Sequence, residues 1–370
     1  MAMVTVTRPR VTVLMTVRNG RRFVEEAVES ILAQTLPDFR FLIFDERSSD
    51  GTRDVLTRLA KRDARIDLRF VDHVGKSPSL NAGLQEIATD YVAFMDADDV
   101  SLPERLARQV AVLDAQPDLF AVGSRAHVID ASGDVVGEGW YVPVGRSAVR
   151  TATLERLWMP FINPTVTFRT AVARDLGPFR PVFPAEDYDF WLRAAERVAM
   201  DNLEDVLLLY RKHGDNASRK RGPRLHDVQW NVAAGAVQRR TTGLDVVRGD
   251  EPFHLAAWRD GRIPREAYRL LALAYAEGAL LRRNRLDEAS RAALRDAIRT
   301  IGPREEASTP DSAHWFRMWL AMTRASLFDG HVRQALRDVL VAIRWFPCAV
   351  QELLRRAHSS THANPSHGNG

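Results

Sequence analysis

Four short apolar runs are separated by segments with helical spacing: VTVLMTV at 11–17, FRFLIF at 39–44, IDLRFV at 66–71 and YVAFM at 91–95. No other feature limits the fold so sharply. Runs of this length, rich in β-branched and aromatic residues, read as buried strands. Between the first two, Phe23, Ala27, Val28, Ile31 and Leu32 share one helical face of residues 21–35. A second helix is predicted over 52–62, with Ser49 or Asp50 of SSDGT as its N-cap, and a shorter one over 77–88. Strand and helix in alternation give an α/β domain with a mostly parallel sheet.

Ligands bind such sheets beyond the carboxyl ends of the strands. The polar residues there are Thr16, Arg18, Asn19, Asp45, Glu46, Asp96, Asp98 and Asp99, and five of these eight are carboxylates. For Asp45 alone, capping of the next turn is a sufficient account. For Asp96, Asp98 and Asp99 it is not, because three acids at a buried strand end repel one another and resist desolvation unless a cation neutralises them. Oxygen ligands suit Mg²⁺ or Mn²⁺, which often share their shell with substrate phosphates. In extended chain Asp96 and Asp98 project to one side, about 7 Å apart. The chain has neither GxxxxGK[ST] nor GxGxxG, so a metal rather than a glycine nest is expected to hold a diphosphate.

The ordered blocks VTVLMTVRNG, FLIFDERSSDGT, SLNAGL, YVAFMDADDVSLPERLARQV, NPTVTF and AEDYDFWLR resemble family 2 glycosyltransferases over about residues 10–220. The resemblance implies a GT-A, Rossmann-like domain over 1–222 that is inverting and uses a nucleotide-sugar. By position it implies that Thr16, Val17 and Arg18 contact the base and Glu46 reads the uracil edge. It implies that Asp96, Ala97 and Asp98 form the DxD block on ribose and the metal-diphosphate, with Asp99 assisting. It makes Asp187 of the ED pair the catalytic base, with Glu186 and Asp189 as competitors, and places His213 near the diphosphate or as a metal ligand beside Asp98. Arg18 replaces a common Tyr, and DERS replaces DDGS. A guanidinium plane can stack on a base in place of the ring; the resemblance implies a nucleotide-sugar donor, with a UDP-sugar put first. Arg47 either sits beside the diphosphate or is solvated.

A direct displacement needs a carboxylate to take the proton of the attacking acceptor hydroxyl, and a metal to stabilise the leaving nucleoside diphosphate. A helix is expected from near Glu186, where acids in the first turn are favoured by the macrodipole in any case. The implied acceptor is a glycan or a lipid-linked sugar of cell-envelope polysaccharide. Asn81 either orients the sugar donor or starts a helix. Lys76 and Arg69 are phosphate neighbours by position, although a solvated fate is the commoner one for a lone lysine. Trp158, Met159 and Phe161 are either an acceptor platform or core.

Beyond about residue 222 strand-like runs vanish. Amphipathic patterns over 264–282, 286–300, 311–328 and 331–345 predict an all-α C-terminal domain, 223–357. Two related segments repeat at an interval longer than the 34 residues of tetratricopeptide units, so TPR-like hairpins are one reading. Trp315, Phe316, Trp319, Trp345 and Phe346 are expected to be inter-helix core, and the polar tail 358–370 to be disordered. The basic stretch 211–224 reads as a solvated connector; contact with a membrane surface is the sharper alternative.

The net charge of +4 over 370 residues argues against a nucleic-acid partner. The lone Cys348 excludes an intrachain disulfide and a cysteine-built metal centre. Arg8, Pro9 and Arg10 interrupt the N-terminal apolar stretch, so no secretory signal is expected there. A cytoplasmic enzyme is expected, with peripheral contact at the inner membrane face left open. Two other classes compete. A nucleotidyltransferase also gathers acids at strand ends, but it normally adds a Gly-rich phosphate loop where MTVRNGRRF offers only Gly20. A scaffold with a decayed enzyme domain is disfavoured by retention of both DADD and AED.

Overall fold

The first half of the chain builds the expected parallel layer. Strands β1 (Val11–Val17), β2 (Phe39–Glu46), β3 (Ile66–Val71) and β4 (Tyr91–Phe94) alternate with helices α1 (Val24–Leu32), α2 (Thr52–Arg62) and α3 (Lys76–Glu86). β1 pairs in parallel with both β2 and β4, and β2 with β3. Side chains alternate across a strand, so β1 serves two cores. Val11, Val13 and Met15 pack with α1 and α2, while Leu14 packs with Leu80 and Leu84 of α3. Helix α2 starts after Gly51, whose φ of 94° is the left-handed region that favours glycine. It is Asp50, not Ser49, that accepts the Thr52 N–H, at 3.0 Å.

The structure, a computed structural model, describes residues 8–72, 75–155, 157–214 and 216, and eight positions between 228 and 240. These fall in the unit Met1–Phe253. The expected helices over 264–345, with their aromatic residues and TPR-like repeat, and the tail 358–370 lie outside the described residues. So do most of the basic stretch and Cys348.

The second half of the sheet is mixed rather than parallel. It holds β5 (Val100–Ser101), α4 (Arg105–Ala115), β6 (Leu119–Ile129), β7 (Val135–Glu138), α5 (Arg146–Leu154), β8 (Thr167–Arg169), α6 (Thr170–Asp175), α7 (Glu186–Arg197) and β9 (Ala199–Arg211). The strand order is β3-β2-β1-β4-β8-β6-β9-β5, with β7 paired to β6 alone. β8 lies antiparallel between β4 and β6. The long β9 runs parallel to β6 and then antiparallel to β5. That last pairing returns the end of β9 to the end of β4. Among the described residues no helix is long and apolar enough to cross a membrane.

Helix α7 is pinned by Trp191, which is fully buried. Its ring meets Phe161 edge-on at 4.9 Å and Phe190 at 5.1 Å, and its Nε1–H donates to Asn163 Oδ1 at 3.1 Å. Trp191→Ala removes this packing and strips Asn163 of its indole partner. A loss of about 3–5 kcal/mol is expected, read by chemical denaturation.

Candidate active site

Two loops form one side of the rim. β1 and β2 end side by side, with Val17 opposite Asp45. Beyond them Asn19 and Arg47 both turn through φ 55°. The loops are laced together. The N–H groups of Asn19, Gly20 and Arg21 donate to Ser48 Oγ, Thr52 Oγ1 and Asp50 Oδ2, and the Ser49 N–H donates to Asn19 Oδ1, all at 2.9–3.0 Å. Burial alone pushes the Asp50 carboxyl up, but its bonds from Thr52 and Arg21 outweigh that and hold it below the ordinary range.

Asp45 is fully buried and capping explains it. Its Oδ1 accepts the Ser48 N–H at 2.8 Å and its Oδ2 lies 3.5 Å from Arg53 Nε. Glu46 is also buried, Thr16 and Val17 flank it from β1, and Arg18 is exposed. Arg47 is solvated, in an exposed ion pair with Asp72. Arg69 pairs with Asp67 and Glu86 at the surface, away from any phosphate role. Asn81 does not start a helix. It sits inside α3 and exchanges two hydrogen bonds with the Phe179 backbone, at 2.8 and 2.9 Å.

The other side of the rim is the acid cluster after β4. Asp98 Oδ2 meets His213 Nε2 at 2.9 Å and accepts Asn216 Nδ2–H at 3.0 Å. Asp99 is buried; its Oδ1 accepts the Arg211 N–H at 2.8 Å. Its Oδ2 has no hydrogen-bond partner among the described residues. Arg211, also buried, donates from Nε to the Asp98 carbonyl at 2.8 Å and from Nη2 to Glu26 at 2.6 Å. The Phe23 ring carries this strap, with His213 centred 4.7 Å away and the Arg211 guanidinium 4.8 Å away. Arg211 and Asn216 escaped the sequence reading. Their signal was the segment LLLYRKHGDN, whose place beside DADD depends on the long-range β5–β9 pairing.

Burial raises the Asp98 carboxyl, helped by Asp96 and opposed by His213. Burial also raises Asp99, well above the ordinary range, with Asp98 and Asp96 adding to it. At both acids burial outweighs the groups that oppose it, His213 at Asp98 and Arg211 at Asp99. Among the described residues no three His, Cys, Asp or Glu side chains close into a metal cage. Asp98 Oδ2 and His213 Nε2 lie 2.9 Å apart and Asp99 Oδ2 is unsatisfied, so these are the residues that could hold a cation. Two protein ligands with the rest left to phosphate and water is an ordinary arrangement for Mg²⁺ or Mn²⁺.

The ED pair lies across the rim at the start of α7. Asp189 is buried between Arg193 Nε at 3.0 Å and Arg180 Nη1 at 3.7 Å, which is a structural role. Glu186 is buried. Asp187 alone of the three reaches solvent, with its Oδ1 on the Tyr188 N–H at 2.7 Å. Burial still raises its carboxyl, with Lys76 opposing and Asp96 adding. Lys76 is therefore no solvated lysine. Partly buried, it lies 3.8 Å from Asp96 and bridges the two acidic groups electrostatically. Phe161 is core, not platform; Trp158 and Met159 are half-buried behind it.

The structure thus sets acids at the end of a parallel layer opposite an acid-led helix. The profile of glycosyl transferase family 2 matches residues 12–174. The putative glycosyltransferase EpsE of Bacillus subtilis is 32% identical over 219 residues, 57% of this chain and 76% of that one. The amylovoran biosynthesis glycosyltransferase AmsE of Erwinia amylovora is 29% identical over 216 residues, 58% and 77% of the two chains. S. aureus TarS 1-349, solved in complex with UDP-GlcNAc, matches with a TM-score of 0.52 at 16% identity, over 94% of this chain and 92% of that one; that likeness concerns the fold. The chain belongs to glycosyl transferase family 2. It is a glycosyltransferase, and the nucleotidyltransferase and scaffold readings give way.

Proposed function

We propose that this enzyme moves a sugar from a UDP-sugar to a glycan or lipid-linked acceptor by a single inverting displacement, in the making of a surface polysaccharide. The observation that carries the reading is the placement of two unlike acidic groups on one rim. One, Asp98 with His213, is open to a cation, and the other, Asp187, is a lone partly exposed carboxylate. Relatives named for amylovoran and O-antigen biosynthesis support the acceptor class. The cytoplasm, where nucleotide-sugars are made, is the proposed compartment.

Each residue has a task. The exposed Arg18 stacks on the base, Thr16 and Val17 line its edge, and Glu46 reads the uracil imide. Asp96 and the Ala97 backbone meet the ribose. Asp98 and His213 hold Mn²⁺ or Mg²⁺. When bound, that cation neutralises the diphosphate and the charge growing on it as the sugar departs. Asp187 accepts the proton of the attacking hydroxyl as the new glycosidic bond forms on the opposite face of the anomeric carbon. Lys76, between Asp96 and Asp187, keeps the base ionised by its charge.

A thermal-shift series with UDP-sugars, GDP-sugars and Mn²⁺ tests this. A ligand that binds only the folded state stabilises it by mass action, by about 2.7 kcal/mol at a hundredfold excess over Kd, and so raises the Tm. The expected result is a shift with UDP-sugars that needs the cation. A shift with GDP-sugars alone would overturn the assignment of the base, and a shift indifferent to metal chelation would overturn that of the cation.

A further inference from the structure

Helix α4 begins with Arg105, whose side chain is fully buried directly behind the end of β4. Its Nη2 donates to the Phe94 carbonyl at 2.6 Å, and its Nη1 lies 3.6 Å from Met95 Sδ. Its Nε reaches Gln109 Oε1 only at 3.4 Å. Gln109 is itself committed elsewhere, to the Thr165 carbonyl at 2.6 Å and to the Thr167 hydroxyl at 2.6 Å. Among the described residues Arg105 is in an ion pair with no carboxylate. A guanidinium taken out of water with only neutral partners is a costly element, and structures rarely hold one without a reason.

The reason lies one layer above. Phe94 and Met95 lead straight into Asp96, Asp98 and Asp99, and the acids nearest the back of that turn have the opposite defect. Among the described residues Asp99 has a buried oxygen with no donor, and the ion pair of Asp96 is with Lys76 at the outer edge. Burial drives the Arg105 guanidinium down to about 10, and the two charges that oppose this are Asp99 first and Asp96 second. Arg211 meets only the Oδ1 side of Asp99, and Arg105, with no carboxylate at ion-pair distance among the described residues, sits behind the same turn.

We propose that Arg105 is a positioning residue: a resident buried counter-charge that balances Asp99 and Asp96 from behind and so holds the DADD turn ready for the diphosphate before any cation arrives. It acts on the reaction through these acids and touches no substrate. The proposal rests on the reading of the acid cluster as the nucleotide-sugar site.

The bland alternative is a strand clamp that works only through the hydrogen bond to Phe94. Charge and hydrogen bond separate in three variants. Arg105→Lys keeps the charge and loses the fork. Arg105→Gln keeps an amide donor and loses the charge. Arg105→Met loses both. In metal-free protein the Tm of Arg105→Met is expected to fall, and Asp99→Asn placed in the same chain is expected to restore a large part of the fall, since contacting or coupled sites do not add. In turnover, Arg105→Gln is expected to raise the KM for the UDP-sugar about tenfold, well below the worth of a contact pair because the charges lie beyond ion-pair distance. Arg105→Lys stays within a few-fold of the parent. Additive Tm losses, or Gln and Lys variants with equal KM values, would overturn the proposal in favour of the clamp. If Arg105→Met does not fold, the same cycle is run with Arg105→Gln. A parent protein that binds no UDP-sugar refutes the nucleotide-sugar reading instead, while the metal-free Tm cycle still decides whether Arg105 and Asp99 are coupled.

Discussion

Asp187→Asn is expected to lower kcat by about 10²–10⁴, the usual share of a general base, and to leave cation-dependent stabilisation by the UDP-sugar in place. The substitution is nearly isosteric, keeps an oxygen for the Tyr188 N–H, and removes only the ability to take a proton. The neighbouring acids behave differently. Asp189→Asn leaves Arg193 and Arg180 facing a neutral amide in a buried setting, so its signature is a lower Tm before any loss of rate. The pH dependence follows from the sign of the shift. Asp187 must be ionised to act, and its carboxyl is raised above the ordinary 3.8 by burial, against the pull of Lys76. Turnover therefore falls as the pH drops through a value above 3.8, and Asp187→Asn erases that limb. The same shift costs stability. The folded state holds this proton more tightly than the unfolded one, so the contribution is favourable at low pH and is lost as the pH rises from 3.8 through the raised value. At neutral pH Asp187→Asn should then leave the Tm equal or higher, a separation of activity from stability common at functional sites. Unchanged kcat in this variant would move the base assignment elsewhere.

The parallel half of the fold was open to sequence reading because each element carried its own periodicity. The strands of 11–17 and 66–71 and the helix of 52–62 match the structure residue for residue. The mixed half was not. β5 has two residues and β8 three, too few for a pattern, and β9 finds its partners far along the chain, Leu119 of β6 opposite Ala199 and Val100 of β5 opposite Leu209. The site divides along the same line. Asp45, Glu46, Asp96, Asp98 and Asp99 announce themselves by following apolar runs. Arg211 and Asn216 do not, because what matters in them is a contact made by tertiary pairing. Lys76 is the instructive error. An isolated lysine is solvated on average, yet this one begins α3 in a turn that faces two acids, and no local rule reports on that.

Asp98→Ala is the severer lesion at the other end of the rim. The expected result is loss of cation-dependent stabilisation by the UDP-sugar and a fall in kcat/KM of at least about 10², since a cation supplies several kcal/mol to the departing diphosphate. The carboxylate has two contacts, the His213 ring and the Asn216 amide, besides its proposed task as cation ligand, and alanine ends all three together. Asp98→Asn separates them. Its amide oxygen still accepts from Asn216 or His213, so the strap from β9 stays down, but it no longer offers a charge to the cation. If metal binding is the task that matters, both variants lose the cation-dependent shift equally. If holding the strap is what matters, Asp98→Asn keeps it and Asp98→Ala does not. The metal-free protein supplies the control. Burial and Asp96 already penalise a charged Asp98, so its removal should not lower the unfolding free energy without cation by more than the two lost hydrogen bonds allow, about 1–3 kcal/mol. A collapse in metal-free stability would mean that Asp98 is a structural acid, and the cation site would have to be sought elsewhere on the rim.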